Sequence, residues 1–322
     1  MASGRSRHLV DPELLGLLNS FGTAVLTPET LPAVREAARR PPPSFQPGDT
    51  AVDTQVRTAT GPADAPDVTV MMHRPRGLRG PLPCVLHMHG GGFIAGAPAA
   101  DAPQHGQMAL SHGCCVASVD YRLAPETPFP GAIEDCYAAL VWLAANAQAL
   151  DLDVQRIGVM GESAGGGLAA ALAILARDRR GPHLAFQHLI YPMLDDRTCI
   201  QTDPNAFAGE FVWTDAANRF GWSALLNGEP GGTDVPAYAA PARAANLGDL
   251  PPAFISTGAL DLFVEENIEY ARRLLRAGVP VELRVYPGCF HGFDYDPLAT
   301  VSVQARRESQ AALSRALQAG AR

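Results

Sequence analysis

Ser163 lies in Gly161-Glu162-Ser163-Ala164-Gly165, a serine with glycine two positions to either side. A serine hydroxyl is a poor nucleophile unless a base takes its proton, and a sharp strand-to-helix turn presents it to both base and substrate. Such a turn strains the backbone and tolerates only small neighbours. Gly161 and Gly165 give that room, and Gly166-Gly167 let the following helix pack close to the strands beneath it. Further along, Asp261 follows the apolar run 253–257 and Gly258-Ala259-Leu260. His291 stands in Cys289-Phe290-His291-Gly292-Phe293, beyond the run 281–286. Glu265 and Glu266 compete with Asp261, but they open the next helix, where negative charge is favourable without any catalytic duty. Asp261 is therefore the candidate acid, with Glu265 second. His291, the only histidine after His188, is the candidate base.

His89-Gly90-Gly91-Gly92-Phe93 directly follows the apolar run 84–88. Successive glycines at a strand end let backbone N–H groups converge on one point, where each stabilises the oxyanion of an acyl-transfer intermediate by about 3 kcal/mol. The loop lacks the G-x-G-x-x-G of a dinucleotide site and the Lys-Ser/Thr of a P-loop, which argues against phosphate binding. His87 and His89 fall on one strand face. With no third ligand at a suitable spacing, no metal site is expected, and the chemistry requires no cofactor.

The elements that must position these residues are legible in the periodicity. Segments 51–59 and 68–73 alternate apolar and polar residues, the pattern of a half-buried antiparallel pair joined at Gly61-Pro62. Six short, nearly continuous apolar runs follow, at 84–88, 115–119, 157–160, 184–191, 253–257 and 281–286. Runs apolar on both faces that alternate with helices predict a mostly parallel, eight-stranded sheet covered on both sides. The helices are expected at 102–112, 133–147, 163–177, 265–277 and 302–317. Residues 194–250 interrupt the alternation with no convincing strand and one helix near 214–226, capped by Thr214. Together with two helical pieces in 9–40, and a Pro41-Pro42-Pro43 linker after them, this insertion is read as a lid. The expected organisation is N-terminal cap helices in 1–45 and a catalytic domain over 46–322. Candidate nucleophile, acid and base come in the chain order of α/β-hydrolases, and in that of no other triad fold.

HGGGF, GESAGG and Asp120-Tyr121-Arg122-Leu123-Ala124-Pro125-Glu126 together closely resemble the hormone-sensitive-lipase-like family of bacterial esterases, over roughly residues 50 to 320. The resemblance implies that the N–H groups of Gly91, Gly92 and Ala164 form an oxyanion hole, that a helical cap covers the sheet, and that the Tyr-Arg-Leu-Ala-Pro-Glu segment ties loops beside the oxyanion region. It also implies carboxylesterase action on short-to-medium acyl esters through a Ser-His-Asp acyl-enzyme mechanism. The chain departs from the family's common pattern at Leu262-Phe263, where Pro-Leu often follows the acid, and at Glu162, where Asp is more common. Phe93, Phe207, Phe211 and Trp213 are candidate pocket walls. An amidase or peptidase would use the same three side chains, and a binding protein would keep the pocket without turnover. The retained His291 weighs against the family's non-catalytic receptors.

Composition narrows the partners. The 322 residues are 47% hydrophobic and 18% charged with a formal net charge of -8, as in a globular protein with a large core. No basic stripe exists to carry phosphate contacts, so nucleic acid is not an expected partner. Asp11-Pro12 breaks the apolar stretch a secretory signal needs, and the longest apolar run, 168–176, is too short to span a bilayer. Six cysteines without CxxC spacing read as reduced, buried thiols of a cytoplasmic protein. The partner expected is a small-molecule ester, and an exposed edge at 281–286 invites pairing into a homodimer.

Overall fold

The structure, a computed structural model, describes residues 5–21, 25–39 and 51–319. The expected Pro41-Pro42-Pro43 linker lies outside these residues. Eight strands form one sheet: β1 Val52–Ala59, β2 Val68–Pro75, β3 Leu82–Met88, β4 Cys115–Asp120, β5 Leu152–Glu162, β6 Gln187–Ile190, β7 Ala253–Gly258 and β8 Val281–Tyr286. Their order across the sheet is β1-β2-β4-β3-β5-β6-β7-β8. β1 and β2 pair antiparallel, as does β2 with β4, and the remaining pairs are parallel.

The apolar runs end in the middle of this sheet because their side chains have no water to face. Every residue of β3 is buried. Val85, Val116, Met160 and Phe254 point to one face, and Leu86, Ala117, Val159 and Ile255 to the other. On the first face pack α3 (Pro98–His112) and α8 (Thr300–Gln318). On the second lie α4 (Gly131–Ala145), α5 (Ala164–Asp178) and α7 (Val264–Arg276). Residues 164–176 of α5 are all buried, so this helix runs through the core with no wet side.

The remaining helices are α1 (Leu15–Ser20), α2 (Leu31–Ala38) and α6 (Asp215–Leu226). α6 begins where the sequence places it, with Thr214 Oγ1 accepting the Ala217 N–H at 3.4 Å. Several expected boundaries move, and the largest shift is at β5, which runs over Leu152–Glu162 where the run 157–160 suggested four residues. β6 spans four residues where the run 184–191 suggested eight: it begins only at Gln187, and Tyr191 turns out of it at φ 34°. α3 starts at Pro98 rather than 102, since a proline at the first helical position needs no N–H partner, and the helix carries Pro103 inside it.

The stretch between β6 and β7 contains no strand and is pinned from within. The buried Asp196 takes Arg243 Nε at 2.5 Å and the Gly231 N–H at 2.6 Å. Glu266, buried at the start of α7, accepts the Leu194 N–H at 2.6 Å and a hydrogen bond from Thr198. Burial holds its carboxyl well above the usual carboxylate range.

Candidate active site

Ser163 sits between β5 and α5 at φ 56° and ψ -121°. The turn is held by its own main chain: the Ser163 N–H donates to Ile190 O at 2.9 Å, and its carbonyl accepts from Gly167 and Met193. The neighbouring glycines have no alternative. A methyl on Gly161 would lie 2.3 Å from Gly165 O, and one on Gly165 would lie 2.0 Å from Met88 O. A methyl on Gly167 would lie 2.2 Å from Met193 O, in the loop after β6.

Ser163, Asp261 and His291 come together. His291 Nε2 is 3.0 Å from Ser163 Oγ, and its Nδ1 is 2.8 Å from Asp261 Oδ2. Asp261 is fully buried and its other oxygen, Oδ1, accepts the Phe263 N–H at 2.9 Å. That leaves the carboxylate one orientation. The imidazole is walled by Tyr191, Phe263 and Trp213, with ring centroids 4.7, 5.3 and 6.4 Å away. Glu265 is exposed and stands apart from this arrangement. The loop carrying His291 is backed by the N-terminal segment: the Asp11 N–H donates to Gly288 O, and Phe21 packs edge-on against Phe290. Val10, Leu14 and Leu18 share the same apolar cluster.

The glycine loop is shaped to expose its backbone. Gly91 and Gly92 have φ of 120° and 61°, where a side chain would be strained, and a methyl on Gly92 would strike the Trp213 ring at 2.2 Å. Among the described residues no hydrogen bond takes up the N–H of either glycine. Ala164, the first residue of α5, also has an N–H with no intrahelical acceptor. Gly91 and Gly92 line a cavity of about 680 Å³ together with Ser163 and His291.

The segment after β4 braces this loop. Tyr121 donates to His89 O at 2.7 Å and stacks on the His89 ring at 4.2 Å. Arg122 binds the buried Asp135 of α4 at 2.6 Å. Glu126 pairs with Arg35 of α2, whose guanidinium also reaches Ile94 O and Ala124 O, each at 2.7 Å. Arg35 is not legible in the sequence, because a lone arginine on a short helix carries no motif.

The expected pocket walls divide. Trp213 lines the cavity, but Phe93 is 1% exposed and packs on Trp222 inside the main core. Phe207 is largely exposed, and Phe211 leans on Phe290, so neither reaches the cavity wall. Apolarity alone cannot tell a wall from a core residue. Tyr191, Glu162 and Asp101 do line the cavity. His87 and His89 do not converge on each other: His87 Nε2 bonds Glu162 at 2.8 Å, whereas His89 Nδ1 bonds Gly90 O at 2.8 Å.

A family model described as the alpha/beta hydrolase fold matches residues 85–295. Carboxylesterase NlhH of Mycobacterium tuberculosis is 36% identical over 319 residues, 98% of each chain. Esterase LipI of the same organism is 37% identical over 294 residues, 88% of each. Among solved structures, a bacterial heroin esterase superposes with a TM-score of 0.88 at 38% identity, over 96% of this chain and 98% of that one. A serine turn, a buried acid and a histidine joining them thus occur in a chain whose relatives share its fold from end to end, and the chain belongs to the α/β-hydrolase fold family, in its hormone-sensitive-lipase-like branch.

Proposed function

We propose that the chain is a carboxylesterase in which Ser163 is the nucleophile, His291 the general base and acid, and Asp261 the residue that orients and stabilises the imidazolium. The observation that carries this reading is the pair of contacts made by one buried imidazole, 3.0 Å to Ser163 Oγ and 2.8 Å to Asp261 Oδ2. His291 Nε2 takes the Ser163 proton as Oγ attacks the ester carbonyl, while the Nδ1–H donates to Asp261. The carbonyl oxygen becomes negative and is held by the N–H groups of Gly91, Gly92 and Ala164. The imidazolium then protonates the departing alkoxide, leaving an acyl-serine. Water gives its proton to His291 and attacks, and the carboxylic acid leaves as Ser163 recovers its proton.

Short-to-medium acyl esters of small molecules fit a cavity of this size bounded by Trp213 and Tyr191. The N-terminal segment 1–45 and the insertion 194–250 act as the cap over a catalytic domain made of the rest. Two copies pair through the exposed edge of β8. A reducing cytoplasm suits six cysteines that are all free and buried.

Hydrolysis of p-nitrophenyl esters from acetate to palmitate, with Ser163→Ala beside the wild type, tests the reading. A rate peaking at short chains and abolished in the variant is expected. A peak at palmitate moves the enzyme to the lipases. Failure of a serine-reactive phosphonate to label Ser163 turns the protein into a binding module.

A further inference from the structure

Behind the serine turn, α3 and the sheet enclose a set of side chains that ester hydrolysis does not use. Asp101 and His105 are four residues apart on α3, so they project from one side of the helix, the spacing by which helices present pairs of metal ligands. His87 faces them from β3, its ring centroid 4.2 Å from that of His105. One donor atom from each of His87, Asp101 and His105 lies within 4.8 Å of the other two. Both histidines are 1% exposed, and His105 Nδ1 has no hydrogen-bond partner. An unmet nitrogen in such a place is costly unless something fills its lone pair or takes its proton.

We propose that His87, Asp101 and His105 form a binding site for a divalent transition-metal ion of the Zn²⁺ class. Two imidazoles and one carboxylate suit Zn²⁺, Co²⁺ or Ni²⁺ and not the all-oxygen preference of Ca²⁺ or Mg²⁺. Donors about 2.0–2.2 Å from a tetrahedral ion stand about 3.4 Å apart, so small rotations contract the present spacing to a coordination sphere. The surroundings already supply an outer partner. Glu162 holds His87 Nε2 at 2.8 Å, as carboxylates hold ligating imidazoles, while Nδ1 makes only a 3.3 Å contact with Ser118 Oγ. His73 adds a third buried imidazole, its ring 5.6 Å from that of His105, with Nδ1 on Thr54 Oγ1 and Nε2 unpartnered. Entry is open, because Asp101 lines the same 680 Å³ cavity that reaches Ser163.

The test uses the whole protein, stripped with chelator and dialysed. Calorimetric titration with Zn²⁺ is run on the wild type, His105→Gln and Asp101→Asn, with circular dichroism and urea unfolding to check that each variant folds. The expected result is one bound ion per chain in the wild type, weakened at least tenfold in both variants. Zn²⁺ binding that is absent from the wild type, or unchanged in a folded His105→Gln protein, overturns the proposal. Co²⁺ provides a readout that needs no variant: intense visible d–d bands of a low-coordinate nitrogen and oxygen site are expected, and the pale spectrum of a six-coordinate aquo ion overturns the assignment.

Discussion

Ser163 is held at a backbone angle that L-residues avoid, a strain of about 1–3 kcal/mol kept in place by the buried turn around it. Asp261 is the opposite case, unstrained but fixed by burial and by the Phe263 N–H. Asp261→Asn keeps the shape and loses the charge and the tautomer of His291. Its kcat is expected to fall about 10⁴-fold with KM little changed, measured on a p-nitrophenyl ester. His188, remote from the site, titrates instead of reacting. It is stacked on Phe254 and bonded to Ser309 Oγ, and burial lowers its pKa to about 3. The unfolded chain therefore binds this proton from about pH 6.5 downwards, while the folded chain resists it until about pH 3. The stability that neutral His188 contributes is complete above pH 6.5 and lost as the pH falls. His188→Gln is expected to flatten the slope of unfolding free energy by about 1.4 kcal/mol per pH unit between 6 and 4. Equal slopes in urea titrations of the two proteins would refute this. Ser163, Asp261 and His291, which the structure brings together, were legible in the sequence because each falls beyond the end of an apolar run, Ser163 and His291 with glycines close by. Phe93 and Phe207 were not, since a phenylalanine reads alike in a wall, a core or a surface.

Strands and helices were readable where burial is two-sided, as in β3 and α5, and less so where a single residue decides a boundary. Pro98 is such a residue. Starting α3 there brings Asp101 onto the helix and into register with His105, which a helix beginning at 102 does not. The bracing of the glycine loop was legible only in part, through the Tyr-Arg-Leu-Ala-Pro-Glu segment, because its partner Arg35 comes from an element far away in sequence. Arg35→Ala strips hydrogen bonds from Ile94 O and Ala124 O. A stability loss of about 1–3 kcal/mol in urea is expected. Hydrolysis should slow through kcat and not KM, since in the proposed mechanism the loop's N–H groups bind the transition state and not the ground-state ester.

At the scale of the whole molecule, β8 is an edge strand that no other strand pairs among the described residues, with Val285 40% exposed on it. Light scattering is expected to give the mass of a dimer for the wild type and of a monomer for Val285→Arg. A wild-type monomer at micromolar concentration would remove the edge from consideration. The other long-range feature joins distant parts of one chain. Ser6 donates twice to Glu210, Asp11 to Gly288 O, and Thr300 to Glu13, so residues 6–13 rest on a surface built from residues 210–300. Synthesis runs in the other sense: residues 6–13 are made well before the partners they rest on. His291 itself follows Ser163 by 128 residues. A nascent chain therefore carries Ser163 without its histidine partner, or a backing for the loop that holds it, until residues 261–300 have been made.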